Sequence, residues 1–321
     1  EGEYATGQQS MQDGFVTYDV SYCGQPGNVF LYDLQTCTEY VLPPQNELND
    51  ENPLLWEGRI LYAAEIPRDE WFVSGFQLME IELSTMELRQ LSPWAQGMRP
   101  RQNSRHVLFR RYVIDSEGIF DLVLHDRWTD QQTVLAGTGQ GAESHHINED
   151  YAVWIAWGGP GKSVFYAELA TGDVVELAST HDQPVYDTYL SGDTVLWTDL
   201  RSGLGAIHGL RISSGEELQL TDDADVHSMP VLDDRLAAWR TRPNTGEGYQ
   251  IVVQDLETGV RRTVVTERSW DWKVVSLEGD WLLYLQQTSD YWYNRIHAVN
   301  LRRLGLLGPD GHLLPSAGGK P

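Results

Sequence analysis

The hydrophobic residues of this chain occur in short runs, and one kind of run recurs at a nearly constant interval. Each recurring run ends in an aromatic residue, as in Arg59-Ile60-Leu61-Tyr62 and Thr194-Val195-Leu196-Trp197. Neighbouring anchors are 42 to 47 residues apart, a period typical of propeller blades. The seven aromatic anchors are Tyr18, Tyr62, Phe109, Trp154, Trp197, Trp239 and Tyr284.

Each repeat contains four short strand patterns and no helical periodicity. A strand before the anchor ends in a polar turn such as Ser191-Gly192-Asp193, and a strand after it ends in an acid followed by an aliphatic residue, as in Asp255-Leu256. A tight turn such as Thr258-Gly259 follows, and then a last short strand. Four strands per repeat predict radial blades whose ring buries their edges.

The predicted fold is therefore all-β, a seven-bladed β-propeller of four-stranded antiparallel blades. We expect one propeller domain over residues 1–307 and a flexible tail or linker over residues 308–321, where Gly, Pro and Ser predominate. The innermost strand of blade one has to come from the segment Tyr4 to Met11.

The order of strand, Asp-Leu-x-Thr-Gly turn, strand and polar turn resembles the TolB-like propeller repeats, also called PD40 or WD40-like repeats. Pro53, Pro100 and Pro230 occupy the position of the proline that opens the innermost strand in that family. The resemblance covers nearly the whole chain and implies the propeller fold. This sequence has Ser-Gly-Asp, Glu-Gly-Arg or Asn-Glu-Asp where the family usually has Ser-Pro-Asp-Gly.

Charge and hydropathy exclude several classes of partner. The chain has 47 Asp and Glu against 23 Lys and Arg, a formal net charge of −24. Such a charge repels phosphate backbones and anionic lipid surfaces, so we expect no nucleic-acid partner. Without an apolar run of about 20 residues, no membrane span is predicted. We expect a monomer in an extracytoplasmic location: periplasmic, cell-surface or secreted.

The two cysteines are predicted to be free thiols. Cys23 falls in a top loop and Cys37 in a bottom turn of the same blade, so a strand separates them by roughly 20 Å. A disulfide requires Cα atoms within about 7 Å of each other.

The longer loops between the outer strand and the next blade, and between the second and third strands, lie on one face, called the top. Exposed aromatic side chains beside polar groups suit recognition of sugars or proteins, although they also pack large loop rims. The top-face aromatic candidates are Trp71, Trp94, Trp157, Trp270, Trp272, Trp292 and Tyr293.

Aligning the repeats on their anchors places one residue per blade at the upper mouth of the channel. A polar ring at this position is also expected in a water-filled channel that binds no ligand. The mouth residues are Asn52, Arg99, Ser144, Asp187, Met229 and Val274, and the residues one step outward are Glu51, Met98, Glu143, Tyr186, Ser228 and Lys273.

One set of mouth residues has the types that β-elimination on a uronate sugar requires. His145, His227 and Tyr186 could supply a base and an acid, and Arg99 could neutralise the sugar carboxylate. Such chemistry occurs on propellers of the oligogalacturonate and ulvan lyase kind. Because neighbouring residues in a strand point to opposite sides, only one of His145 and His146 can face the channel.

Other candidate motifs are weak. Gly158-Gly159-Pro160-Gly161-Lys162-Ser163 has Ala156 where a phosphate-binding loop needs its first glycine. Asp222-Asp223-Ala224-Asp225 lacks calcium-loop spacing, so a solvated turn is favoured. No cofactor is predicted, with bound calcium left open. No Gly-x-Ser-x-Gly motif of a serine hydrolase is present.

The favoured hypothesis from the sequence is a non-enzymatic binding scaffold that recognises a protein segment or a glycan through its top face. The alternative is a carbohydrate-active enzyme, a uronate polysaccharide lyase with its site at the channel mouth.

Overall fold

The computed structural model describes residues 9–22, 25–42, 50–66, 76–92, 98–112, 120–137, 142–157, 161–180, 185–201, 203–246, 248–267, 271–287 and 294–315. These residues form 27 strands in seven antiparallel sheets, each a simple meander. Blades one to four are β1 (Ser10–Gln12), β2 (Phe15–Tyr22), β3 (Gln25–Asp33) and β4 (Thr38–Val41); β5 (Asp50–Trp56), β6 (Arg59–Glu65), β7 (Phe76–Glu82) and β8 (Glu87–Ser92); β9 (Met98–Gln102), β10 (His106–Tyr112), β11 (Phe120–Asp126) and β12 (Gln131–Ala136); β13 (Glu143–Ile147), β14 (Tyr151–Trp157), β15 (Lys162–Glu168) and β16 (Val174–Thr180).

Blades five to seven follow the same order along the chain. The described part of blade seven contains three strands. The strands are β17 (Val185–Ser191), β18 (Thr194–Asp199), β19 (Ala206–Arg211) and β20 (Glu216–Gln219); β21 (Val226–Asp233), β22 (Leu236–Arg242), β23 (Tyr249–Asp255) and β24 (Arg261–Glu267); β25 (Asp271–Glu278), β26 (Trp281–Gln287) and β27 (Asn294–Asn300).

The first strand of each blade contacts the first strand of the next, and β25 returns to β1, which closes the ring around a central channel. The predicted seven-bladed propeller is confirmed. Every aromatic anchor lies on the second strand of its blade, and the six anchors from Tyr62 to Tyr284 are buried.

The hydrophobic core lies between neighbouring blades. Leu61 and Leu78 of blade two, for example, pack against Val107, Phe109 and Val123 of blade three. Alternate residues of each strand face the blade on one side or the other, so both faces of a sheet are apolar. This packing explains why the anchor runs are continuous stretches of hydrophobic residues.

The two ends of the chain meet between blades one and seven. Met11 and Val16 of blade one pack against Leu283 of blade seven. The innermost strand of blade one, β1, begins at Ser10 and so overlaps the end of the segment predicted to supply it. Among the described residues, no sheet combines strands from both ends of the chain. In the described part of the chain, side-chain packing and a hydrogen bond from the Asp13 amide to Glu278 join blades one and seven.

A set of inter-blade hydrogen bonds, here called the bottom belt, joins the lower ends of the innermost strands. In each, a side chain bonds to the backbone of the next blade's first hairpin. The pairs are the Glu57 amide to Gln12 (2.5 Å), Asn103 to the Asn148 carbonyl (2.6 Å), Asn148 to the Gly192 carbonyl (2.6 Å), the Asp234 amide to Ser191 (3.1 Å), the Gly279 amide to Asp233 (2.5 Å) and the Asp13 amide to Glu278 (3.1 Å).

The segment after β27, expected from its composition to become a flexible tail at residue 308, packs on the propeller as far as residue 315. Leu307 bridges to Leu313, and both side chains are buried in the core of blades six and seven. His312 lies 2.8 Å from the buried carboxylate of Asp255. Buried leucines and this hydrogen bond hold the segment on the propeller, although its Gly and Pro content predicted a tail. Residues 316–321 lie outside the described residues.

Candidate functional site

The upper end of the channel is shaped by a β-bulge in the innermost strands. In blades two to seven, the pairing of the first and second strands shifts register at the level of the predicted mouth residues. Four of these residues have a positive φ: Asn52, Ser144, Asp187 and Met229. A bulge places an extra residue in the strand and redirects the side chains beside it. Prolines such as Pro53 and Pro230 directly follow the bulged residue, where an edge strand tolerates them.

Several predicted top-face residues lie outside the described residues: Trp71, Trp94, Trp270, Trp292 and Tyr293. The backbones of Arg99 and Trp272 are in strands β9 and β25, and their side chains are outside the described part. Cys23 is likewise outside it, whereas Cys37 is an exposed free thiol in the bottom turn of blade one. Cys37 has a positive φ, and Gly172 and Gly259 adopt the same left-handed backbone conformation at the equivalent turn position.

Three of the predicted binding residues meet around Lys162, which the sequence argument treated only as part of a loop. The Lys162 ammonium lies 2.6 Å from the Glu143 carboxylate, 4.8 Å from the Trp157 ring centre and 4.6 Å from the Tyr186 ring centre. Lys162 is buried, at 6% exposure, while Trp157 and Tyr186 are 46% and 38% exposed. We call these four residues the rim platform. It spans blades four and five, because Tyr186 belongs to β17.

Deeper in the channel, a second group contains an imidazole, a phenol and a guanidinium. The rings of His146 and Tyr189 lie 4.4 Å apart, and the charge of Arg101 acts on both side chains. The three residues occupy the same register position in blades three, four and five, each one pairing with the residue before the anchor. We call Arg101, His146 and Tyr189 the channel cluster.

The protonation states of the channel cluster follow from its burial. Burial, together with the charges of Arg101 and His145, lowers the pKa of His146 well below its ordinary value, so the imidazole is neutral at neutral pH. Burial raises the pKa of Tyr189, against the opposing effects of Arg101 and a hydrogen bond with Ser276. Tyr189 is therefore a protonated phenol at neutral pH.

Other mouth residues hold neighbouring blades together or surround the opening. The Thr188 hydroxyl donates to the Ser144 carbonyl at 2.5 Å, joining blades five and four. Burial raises the pKa of Asp187, although the Met229 amide and the charges of Arg240 and Lys273 favour its ionised form. Burial beside Glu65 also raises the pKa of Glu51.

His145 and His227, predicted from the sequence as base or acid, lie outside the channel cluster. His145 is buried. His227 is buried too, with Nε2 2.7 Å from the Asp223 carboxylate and Nδ1 3.0 Å from the Thr241 hydroxyl. Both ring nitrogens of His227 therefore have hydrogen-bond partners in or directly before its own blade. The structure thus gives His227 and Tyr186 separate partners.

Sequence reasoning missed the channel cluster by two positions. Arg101, His146 and Tyr189 each lie two residues beyond the predicted mouth residues Arg99, Ser144 and Asp187. The same repeat alignment could have found them, because equivalent positions in three consecutive blades carry Arg, His and Tyr. The bulge that separates the two levels is a tertiary feature without a sequence pattern of its own.

Two absences concern the described residues. No group of three or more His, Cys, Asp or Glu side chains is placed there to hold a metal ion. The secondary-structure elements of the described residues are strands, and no helix long and apolar enough to cross a membrane is found among them.

Comparison with known proteins supports the propeller fold through solved structures. No protein-family model and no curated protein matches the sequence. The propeller domain of the Trilobed protease from Pyrococcus furiosus, which has an open velcro topology, is 12% identical, with a TM-score of 0.69 over 94% of this chain and 98% of that one. The predicted propeller fold is confirmed by the seven meander blades and this match.

Two further matches represent two classes of enzyme. An oligogalacturonate lyase in complex with manganese is 14% identical, with a TM-score of 0.66 over 93% of this chain and 89% of that one. A prolyl endopeptidase is 11% identical, with a TM-score of 0.67 over 92% of this chain and 50% of that one. The chain therefore spans about half the length of the prolyl endopeptidase.

The prediction of a non-enzymatic scaffold is wrong by this comparison. The similar structures include peptidase propellers and a lyase, and the alternative prediction of a uronate lyase has a structural counterpart among them. Sequence reasoning favoured a scaffold because it found no catalytic motif, but a propeller can assemble a site from single residues on separate blades. The matched lyase contains manganese, whereas the described residues of this chain include no group of three or more His, Cys, Asp or Glu side chains placed to hold such an ion.

Proposed function

We propose that this protein is a carbohydrate-active enzyme, a lyase that cleaves uronate-containing saccharides at the upper part of its channel. The observation that carries the proposal is the channel cluster: Arg101, His146 and Tyr189 on three consecutive blades, at one level of the channel. These residues offer a cation, a neutral base and a protonated acid together.

Each member of the cluster has a defined part in β-elimination. Arg101 pairs with the sugar carboxylate and so stabilises the charge that develops when the adjacent C5–H bond breaks. His146 accepts the C5 proton, and the electron pair forms the C4–C5 double bond as the C4–O bond breaks. Tyr189 donates its proton to the departing oxygen. Solvent then removes the proton from His146 and returns one to Tyr189.

The charge distribution supports an acidic substrate despite the net charge of −24. Arg101 lies in the channel, and the positive charges of Arg240 and Lys273 act on Asp187 at the mouth. These cations make the electrostatic potential at the mouth locally more positive, which favours a carboxylated ligand.

The low pKa of His146 in the free protein is compatible with its role as a base. The positive charge of Arg101 is one cause of the shift. A bound carboxylate beside Arg101 offsets that charge and moves the pKa of His146 upward. Binding of the substrate thereby strengthens the base at the step where it acts.

The test is a search for unsaturated uronate products across a panel of acidic polysaccharides: polygalacturonate, alginate, hyaluronate, heparan sulfate and ulvan. With the substrate found, we expect His146→Ala and Tyr189→Phe each to lower kcat by about 10²–10⁴-fold. His297→Ala is the matched control, because His297 is a half-buried histidine that stacks on Tyr284 in blade seven, and we expect it to keep activity.

Two results contradict the proposal. One is the absence of an unsaturated product from every polysaccharide in the panel. The other is a His146→Ala protein with wild-type activity. In the pH profile of kcat/KM, the acidic limb should lie below the ordinary histidine pKa, because kcat/KM reports the free enzyme, in which the pKa of His146 is lowered.

We further propose that the partner is a glycan and that the protein acts as a monomer outside the cytoplasm, where acidic polysaccharides are encountered. The acidic composition and the cations at the mouth support a soluble chain that meets such a ligand. Light scattering tests the oligomeric state, and fractionation of the source cells tests the location.

A further inference from the structure

The rim platform has the features of a sugar-stacking surface, and nothing in the proposed reaction uses it. Two aromatic rings from different blades are exposed on the upper rim, Trp157 at the end of β14 and Tyr186 near the start of β17. Exposed large rings are rare in the described part of the chain, and here two of them share one partner, the ammonium of Lys162.

Lys162 fixes the orientation of both rings. Its ammonium contacts one face of each ring and the carboxylate of Glu143, and its side chain is almost completely buried. A desolvated cation beside aromatic faces is attracted electrostatically to both rings. Trp157 and Lys162 are also directly opposite each other in the β14–β15 hairpin. The rings are therefore held in place before any ligand binds.

The chemistry of the platform selects its ligand. The remaining exposed ring surface suits the apolar C–H face of a pyranose, since aromatic side chains offer large area at low cost in conformational entropy. Glu143, whose side chain is 43% exposed, offers carboxylate oxygens that accept hydrogen bonds from sugar hydroxyls. A carboxylate at this point disfavours a second uronate in the same place. The platform is thus suited to a neutral sugar residue.

The distance to the channel cluster fits one extended ligand. Glu143 precedes His146, and Tyr186 precedes Tyr189, by three positions in the same strand. Three residues of extended chain span at most roughly 10 Å, and the bulge within each of these segments shortens that distance. A saccharide entering the mouth can therefore contact the platform and the cluster at once.

We infer that Trp157 and Tyr186, held by Lys162, form a subsite that binds a neutral sugar residue of the substrate next to the uronate that is cleaved. This inference deepens the proposed function and rests on it for the identity of the neighbouring uronate. Stacking on the platform itself is independent of cleavage and is measured without it.

The experiment is affinity electrophoresis in native gels that contain one polysaccharide each: the five acidic polymers of the activity panel, pectin, gellan and neutral hydroxyethylcellulose. We expect retardation by at least one polymer with neutral sugar residues. Trp157→Ala and Tyr186→Ala should each weaken it at least tenfold, and Lys162→Met several-fold, because the rings lose their common partner. Trp128→Ala is the matched control, since Trp128 is 74% exposed in a bottom turn and stacks on Arg105.

The outcomes separate this inference from the proposed function. If the polymers retard the wild type and Trp157→Ala abolishes the effect, the platform is supported even when no lyase product forms. If the lyase is active and Trp157→Ala leaves both KM and retardation unchanged, the platform is refuted and the proposed function remains. The absence of retardation by every polymer, with no KM effect in Trp157→Ala, also refutes it. Circular dichroism of each variant verifies folding.

Discussion

At the residue scale, the acid that ends the third strand of a blade caps the turn after it. Asp33, Asp126 and Asp255 each accept hydrogen bonds from the two backbone amides that lie two and three residues further on. A short carboxylate side chain forms this kind of turn easily. The turn then needs a left-handed residue, for which Gly259 is suited. This chemistry accounts for the recurring Asp-Leu-x-Thr-Gly sequence.

Asp255 has a second role, because it also binds the C-terminal segment. Besides its turn amides, its carboxylate accepts from the Leu313 amide at 3.2 Å and contacts His312. Its side chain is fully buried. Burial alone would raise the pKa of Asp255, but hydrogen bonds from the Thr258 amide and His312 hold it below the ordinary value.

We therefore expect Asp255→Ala to lower the free energy of unfolding by about 3 kcal/mol at pH 7, because several donors lose a buried acceptor. Asp33→Ala removes an exposed turn carboxylate and should cost clearly less. Urea unfolding at pH 7 and pH 3 measures both. A lowered pKa gives stability that is present above the unfolded pKa of 3.8 and is lost as the pH falls through the lower folded pKa, so the difference in unfolding free energy between Asp255→Ala and wild type should shrink at pH 3. Equal losses for both variants would contradict this role.

At the element scale, the innermost strands hold the ring together through the bottom belt. Each bond crosses from one blade to the first hairpin of the next, and the last one, from the Asp13 amide to Glu278, joins the two ends of the chain. Glu278 is also close to the acidic side chains of Asp13 and Asp233. Burial and these two charges raise the pKa of Glu278 to about 7, although the Asp13 amide favours the ionised form.

The junction between blades one and seven is here called the seam. The raised pKa of Glu278 makes the stability of the seam depend on pH. Stability from a raised carboxyl pKa is largest below the unfolded value of 4.5 and is lost as the pH rises to about 7. Glu278→Gln keeps an oxygen for the Asp13 amide and removes the charge. We expect it to increase the free energy of unfolding at pH 8 by on the order of 1–2 kcal/mol, and to change it little at pH 5.

Denaturant titrations at the two pH values measure this effect. Gln12 occupies the equivalent belt position in blade one, so Gln12→Glu is the reciprocal variant and should destabilise the protein at pH 8. A Glu278→Gln protein that is equally stabilised at both pH values would show that charge at the seam is not the cause.

At the scale of the whole molecule, side-chain packing joins blades one and seven, and the segment that follows the last strand packs on blades six and seven. Leu301, Leu307 and Leu313 of that segment are buried against blades six and seven. The Arg302 guanidinium donates to the Gly308 carbonyl at 2.7 Å and to Asp280. The segment therefore belongs to the folded propeller up to residue 315.

Substitutions at two adjacent leucines test whether the C-terminal segment is part of the folded propeller. Leu313 is 3% exposed and Leu314 is 42% exposed. Leu313→Ala leaves a cavity between blades and should lower the free energy of unfolding by about 3 kcal/mol, whereas Leu314→Ala should change it little. Thermal and urea unfolding followed by tryptophan fluorescence measure both. A Leu313→Ala protein as stable as the Leu314→Ala protein would indicate that residues 308–315 form a tail.

The sequence by itself determined the number of blades, the strand that carries each anchor and the position of each tight turn. These features are local and repeated: the anchor runs, the Asp-Leu pairs and the Thr-Gly turns recur at one period. The sequence also placed Glu143, Trp157 and Tyr186 on the upper rim, because loop positions follow from strand order.

Only the tertiary structure decided which of these side chains meet and which histidine borders the channel. The bulge in each innermost strand shifts the alternation of side chains, so that His146, rather than its neighbour, contacts Tyr189. Lys162 joins Trp157 and Tyr186 because blades four and five are adjacent, although 24 residues separate Lys162 from Tyr186 in the chain. Register shifts and contacts between blades depend on packing around the whole ring, and a repeat pattern along one chain does not encode them.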